Sequence, residues 1–290
     1  MATLLPEAEG LRLGRTLASG QAFRWKWDTE GRDVEIAVGV VGRHVLRLAQ
    51  DARGLWLLSP DTPDARASVL RYLGVSGGGD AGIRRVEAGL AQDAVLARIL
   101  SHTAGIGLLA QDPWEVLISF IISANNNIPK IIQSVDRLAQ SLGEPLENGA
   151  HAFPTPDRLA AARPRTLAVC LLGYRAPYVR AAARLVAEGR IDLGGLARIP
   201  PDKAREQLLG IRGVGVKVAD CIALFGLRHT TAFPVDVWVR RAVERLYFRG
   251  RQRTLKEIQA FARVRFGPLA GYAQQHLFAY ARSHLHRVRR

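Results

Sequence analysis

Cysteine is scarce: Cys170 and Cys221 are the only two in a chain of 290 residues. Two thiols rule out a disulfide framework and any cluster that needs four thiolates. Long apolar runs are missing as well. The longest stretch, around Val116 to Ile122, falls far short of the roughly 20 residues a membrane-spanning helix needs, so no membrane partner is expected. The seven histidines, His284 and His286 of the basic tail among them, show no metal-ligand spacing beside acidic or thiol partners, and neither a metal nor another cofactor is expected. The opening, MATLLPEAEG, has no basic region ahead of an apolar one and carries two glutamates, so it reads poorly as a secretory or transit signal. The expectation is a cytoplasmic protein, nucleoid-associated if the cell is prokaryotic.

Acidic residues are also in deficit, 26 against 41 basic ones, which leaves a net charge of +15. A surplus of that size attracts polyanions and makes association strongly salt-dependent. A generally basic soluble protein is the blander reading of the charge. Within the basic set lysine is rare: only Lys26, Lys130, Lys203, Lys217 and Lys256 can supply amine chemistry. The length suggests two packed substructures.

The first portion reads as β-rich. Gln21 to Trp27 is laden with aromatics, Val34 to Val41 and His44 to Leu48 are β-branched or alternating around the turn Gly42-Arg43, and Leu55 to Leu58 follows a further turn signal. After Asp61 to Pro63 the spacing becomes helical, and Ser76 to Gly79 reads as a flexible break. From Ile83 onward nearly everything reads as helix. Pro113 to Ile122 is apolar on almost every side, which suits a helix buried all round. Amphipathic helices are expected at Pro129 to Leu142, Ala176 to Glu188, Pro201 to Leu209, Val216 to Leu227, Val237 to Leu246 and Gly271 to Arg282.

The most specific local signal is Leu208-Leu-Gly-Ile-Arg-Gly-Val-Gly-Val-Lys-Val-Ala-Asp-Cys221. A helix runs into Gly210, Gly213-Val214-Gly215 makes a hairpin, and a second helix opens near Val216. Glycines permit the tight turn and leave no side chain between backbone N–H groups and a phosphate, while the new helix adds the positive end of its dipole. Such a site grips DNA backbone without reading sequence. Standing alone, the motif reads equally as an ordinary helix-helix connection. Lys217 lies in the first turn of the second helix, where the dipole favours a neutral, nucleophilic amine. Attack at C1′ of a damaged nucleotide would expel the base and leave a Schiff base; a phosphate-contacting lysine is the plainer alternative. Nineteen residues on, Phe233-Pro-Val-Asp-Val-Trp238 places Asp236 at a helix start. Aspartate there is an N-cap in the simplest case, and a cap carboxylate can also stand beside C1′ and stabilise positive charge on the sugar. The lysine-hairpin and the Pro-Val-Asp together point to an enzyme instead of a simple DNA binder.

Taken with Gly20-Gln-Ala-Phe-Arg-Trp25, Asp112-Pro-Trp-Glu115, Ser119 to Asn127, Leu172-Gly-Tyr-Arg175 and Gly267 to Gln274, the chain resembles the 8-oxoguanine DNA glycosylase/AP lyase branch of the helix-hairpin-helix glycosylase superfamily, nearly end to end. The resemblance implies an α+β protein: an N-terminal antiparallel β-sheet domain with flanking helices, residues 1–110, packed on a two-lobed helical domain, residues 111–290, whose cleft receives an extruded base. It implies Lys217 as nucleophile and Asp236 as catalytic carboxylate. It puts the Gly20 carbonyl opposite the N7–H of oxidised guanine, Gln274 on the pairing edge of the flipped base, and Phe278 and Cys221 on its two faces. Asn125 would fill the gap, Tyr174 wedge the kinked step and Arg175 contact the estranged cytosine, with Gly213, Gly215 and Val216 on the DNA backbone. Plain core packing is the alternative for Phe278 and Cys221, and helix termination for Asn125 to Asn127.

The chain departs from the eukaryotic members at three places. Trp238 stands where they carry a DNA-contacting histidine, and Ala281 replaces an acidic residue. Lys130 takes the place of their second arginine reader of the opposite cytosine, a single flexible charge instead of a bidentate fork, so looser discrimination among opposite bases is expected. The expected partner is double-stranded DNA containing oxidised guanine, bound by a monomer. A monofunctional glycosylase for alkylated bases would use Asp236 with water, and Lys217 argues against it. A non-catalytic DNA-binding module would not need Lys217, Asp236 and Gln274 together.

Overall fold

The computed structural model describes residues 2–28, 34–75 and 81–285; the break expected at Ser76 to Gly79, and His286, lie outside the described residues. Strands β1 (Thr3–Leu4), β2 (Trp25–Asp28), β3 (Glu35–Val41), β4 (His44–Asp51) and β5 (Gly54–Ser59) form one antiparallel sheet in the order β1-β5-β4-β3-β2. Two-residue turns join β3 to β4, with Val41 facing His44, and β4 to β5, with Asp51 facing Gly54. β4 therefore runs on to Asp51, past the expected end at Leu48, because it keeps its partner up to the second turn. The aromatic stretch is strand only from Trp25. Before it, the fully buried Gln21 accepts from the Leu109 amide at 2.9 Å and donates to the Gly107 carbonyl at 2.9 Å, which stitches residues 19–24 to the chain leading into the helical region.

The helices of nine or more residues are α1 (Pro63–Tyr72), α2 (Ala81–Leu90), α3 (Ala94–Thr103), α4 (Pro113–Ile122), α5 (Ile128–Leu142), α6 (Ala176–Ala187), α7 (Pro201–Leu209), α8 (Val216–Phe225), α9 (Val237–Tyr247), α10 (Leu255–Phe266) and α11 (Ala270–His284). Side-chain caps start many of them: Thr62, Asp93, Asp112, Asn127, Asp236 and Thr254 each accept from a first-turn amide, a bond worth about 1 kcal/mol. None of the helices described is long and apolar enough to cross a membrane.

Three apolar cores result. Leu46, Leu48, Leu55 and Leu57 of the sheet pack on Val69 of α1. The wholly buried face-to-face run of α4, Trp114 and Val116 to Ile122, is the spine of a second core with α5, α6, α7 and α8. A third joins Leu96 and Ile99 of α3 to Val239 and Val243 of α9, Ile258 of α10 and Leu277 of α11. The helical region is thus two-lobed, and α3, which precedes the first lobe in sequence, packs in the second. α8 belongs to one lobe and α9 to the other, so Lys217 and Asp236 are supplied by different lobes.

Candidate active site

Gly213 takes φ +92°, and a Cβ there would stand 2.6 Å from the Tyr178 Cβ, so only glycine lets the hairpin close against α6. Gly215 differs: its backbone is extended, and a Cβ would meet nothing within 4 Å. It caps α8 without any side-chain hydrogen bond, which leaves the first-turn amides, that of Val216 included, uncapped at the surface. Arg212 lies 5.5 Å over the Tyr178 ring beside them. Uncapped amides and a guanidinium at a helix start suit an anion chemically.

Inside that first turn Lys217 points back into the protein. Its Nζ donates to Ser123 Oγ at 3.3 Å and lies 5.1 Å over the Phe120 ring. One turn along α8 lies the buried Cys221, whose thiol is pushed by burial up to about 11 against the pull of the Lys217 charge, so near neutral pH it is a protonated thiol. Across the junction, Asp236 Oδ1 accepts from the amides of Trp238 at 3.0 Å and Val239 at 2.8 Å, fixing the carboxylate at the start of α9. Burial raises its carboxyl above the usual range; the Val239 amide, Lys217, the Trp238 amide and Arg282 act the other way. Trp238 itself is half-buried under Arg241, 5.0 Å from its ring.

The candidate base pocket is assembled from the sheet side and α11. Gly20, at φ +77°, lies so close to Phe278 that a Cβ would stand 3.1 Å from its ring. Gln274 is buried one turn before Phe278, its carbonyl oxygen accepting from Gln275 Nε2 at 2.9 Å. Arg282 covers the Phe278 ring at 5.5 Å and donates to the Ala18 carbonyl at 3.4 Å. A cavity of about 740 Å³ opens beside Phe278, Arg282, Ser19 and Arg15; its lining includes neither Lys217 nor Asp236.

Asn125, Tyr174 and Arg175 come together on one surface. Asn125 takes φ +49° and is exposed, and its amide donates to the Tyr174 hydroxyl at 3.4 Å. Tyr174 is 55% exposed. Arg175 is buried instead, donating to the Ala124 and Asn125 carbonyls and stacking 4.4 Å from the Tyr174 ring, so it braces the asparagine loop. Lys130 is exposed on the first turn of α5, where its amide donates to the Asn127 cap. Sequence reasoning passed over Ser123, Phe120 and Arg282. Arg282 follows Phe278 by four residues on α11, a signal that could have found it; Ser123 and Phe120 lie in the quoted stretch ahead of Asn125, with nothing local to mark them.

An inward-turned amine on the hairpin's second helix, and a buried carboxylate capping the next helix whose charge it influences, are what the helix-hairpin-helix brings together here. Residues 118–268 match the HhH-GPD superfamily base excision DNA repair protein family. The chain is 37% identical over 214 residues to a probable N-glycosylase/DNA lyase of Methanothermobacter thermautotrophicus, covering 66% of this chain and 68% of that one. It is 32% identical to the N-glycosylase/DNA lyase of Saccharomyces cerevisiae, covering 82% and 68%. Its fold overlays the Clostridium acetobutylicum 8-oxoguanine glycosylase/lyase, solved with duplex DNA containing cytosine opposite 8-oxoG, at a TM-score of 0.86 and 33% identity over 94% of this chain and 92% of that one. The protein belongs to the HhH-GPD superfamily of base excision DNA repair proteins.

Proposed function

We propose that this protein is a bifunctional DNA glycosylase and AP lyase that excises 8-oxoguanine from duplex DNA in base excision repair, acting as a monomer. The observation that carries the reading is the Lys217 amine, in the first turn of the hairpin's second helix, turned inward onto Ser123 and Phe120, with the carboxylate of Asp236 fixed as the cap of the following helix. The relatives named as N-glycosylase/DNA lyases, and the glycosylase/lyase of the same fold, support the paired activities and the lesion.

In this reading the uncapped amides around Gly213, Gly215 and Val216 hold a backbone phosphate, and the damaged nucleotide swings into the junction. Asn125 enters the gap and Tyr174 wedges the kinked step, with Arg175 bracing the loop of Asn125 and Lys130 and Trp238 along the DNA face. Phe278 and Cys221 flank the base, Gln274 meets its pairing edge, and the Gly20 carbonyl accepts the N7–H. Normal guanine has an acceptor at N7, so two acceptors would face each other and the undamaged base is disfavoured. The neutral Lys217 amine attacks C1′ as the bond to N9 breaks, and that electron pair leaves with the base, which takes up a proton. Asp236 faces the positive charge that builds on the sugar. Cleavage of the C1′–O4′ bond then gives a Schiff base, O4′ taking a proton. Removal of a C2′ proton expels the 3′ phosphate and nicks the strand.

Lys217→Gln is expected to bind an 8-oxoguanine duplex with wild-type affinity and to give no covalent adduct on borohydride reduction. An undiminished adduct would remove Lys217 as the nucleophile.

A further inference from the structure

Ser123 closes α4 as its C-cap residue and is buried. Its hydroxyl has one proton, and that proton goes to the Phe120 carbonyl at 2.8 Å. Toward Lys217, 3.3 Å away, the oxygen can therefore only accept. We propose that Ser123 is a positioning residue for the Lys217 amine, keeping one N–H occupied and its lone pair clear for attack; this deepens the lyase reading and rests on it.

An ammonium has three N–H groups and no lone pair; the neutral amine has two N–H groups and one lone pair. A rotating hydroxyl would donate to that lone pair and mask it. Here the Phe120 carbonyl prevents the rotation, so the serine oxygen takes an N–H in both protonation states. The Phe120 ring, 5.1 Å from the nitrogen, likewise offers a π face and no proton. Both groups come from the same end of α4, three residues apart and thus on one helical face. Cys221, one turn along α8 from Lys217, holds a protonated thiol, and a thiol is a weak donor. Two residues beyond Ser123, the chain turns at Asn125 and is braced by Arg175 on the Ala124 carbonyl. The acceptor is thereby held still from both sides.

The test is single-turnover borohydride trapping on two saturating duplexes, one with 8-oxoguanine and one with a preformed abasic site, using wild type, Ser123→Ala and Ser123→Thr. On the abasic duplex no base is expelled, so trapping reports the amine alone. Ser123→Ala is expected to trap about tenfold more slowly on both duplexes, with DNA affinity within about twofold of wild type. Threonine keeps a hydroxyl able to donate to the carbonyl three residues back and should recover most of the rate. An alanine variant that traps within about twofold of wild type overturns the proposal, and so does one whose slower trapping is matched by equally weakened DNA binding. Wild-type trapping on the abasic duplex without release of 8-oxoguanine would instead overturn the substrate reading and leave the serine comparison intact.

Discussion

Asp236 carries its charge where burial resists it, and the neighbouring amides and cations do not bring the carboxyl back to its ordinary range. A carboxyl whose folded value exceeds its unfolded one binds its proton more tightly in the folded chain. The stability it contributes is present below the unfolded value and is lost as pH rises through the folded one. Wherever Asp236 is ionised, its charge is a local destabilisation tolerated for chemistry. Asparagine caps a helix as well as aspartate and has no charge to desolvate. Asp236→Asn should melt at or above wild type at pH 7, by a margin that shrinks toward pH 4, while 8-oxoguanine excision falls about a hundredfold or more. Asp236→Ala also loses the cap and should be about 1 kcal/mol less stable than the asparagine variant. Thermal melts of the three proteins across pH decide it; an asparagine variant melting below wild type at pH 7 contradicts the sign. Lys217 and Asp236 are legible in sequence because each sits in a short motif with its own geometry. Ser123 is not, because it reaches Lys217 across 94 residues and only the packing of α4 on α8 joins them.

The hairpin between α7 and α8 separates what the fold needs from what a ligand needs. Gly213 is required by its φ and by its contact with Tyr178, so Gly213→Ala should cost about 2 kcal/mol or more in stability. Gly215 has an ordinary backbone and open space, so Gly215→Ala should leave the melting temperature unchanged or slightly higher. If the hairpin holds a phosphate as proposed, a methyl at Gly215 would stand in its path, and duplex affinity should fall about tenfold, or about 1.4 kcal/mol. Titration of a labelled duplex with each purified variant checks the pair; unchanged affinity for Gly215→Ala would place the DNA backbone elsewhere. Behind the hairpin, buried Asp220 accepts from Arg205 of α7 at 2.7 Å and Gln259 of α10 at 2.7 Å, tying both helices to α8. The elements themselves are largely readable. Pro113 and Pro201 open their helices, and Pro129 stands one residue inside α5, because proline fits the first turn. α10 escaped individual notice although Thr254 and Glu257 form a reciprocal capping box at its start. β1, two residues long, has no periodicity to detect, and its pairing with β5 depends on the chain's later course.

At the scale of the molecule, the sheet must be docked on the helices for Gly20 to face Phe278, and residues 19–24 make that joint. Phe23 enters the α4 core, and Arg24, also buried, pairs with Glu115 of α4 at 3.5 Å and donates to the His151 carbonyl. The pairing spans 91 residues, which is why the sequence shows two unremarkable charged residues and no joint. Burial pushes the Glu115 carboxyl from its ordinary 4.5 up to about 7, with Asp112 adding to the rise and Arg24 opposing it. The folded value lies above the unfolded one, so the stability Glu115 contributes is complete below about 4.5 and is lost as pH climbs to about 7. Glu115→Gln keeps the volume and an acceptor for Arg24 but never ionises. The melting temperature of this variant relative to wild type should therefore rise from pH 5 to about pH 7 and level off by pH 8, by an amount on the order of 1–3 kcal/mol, or a few degrees for a chain of this size. Other titrating groups are common to both proteins and cancel in the difference. A difference that stays flat over that range would mean Glu115 is ionised throughout, and the joint would then be a permanent ion pair; a difference that falls would mean that the charge of Glu115, held by Arg24, stabilises the docked sheet.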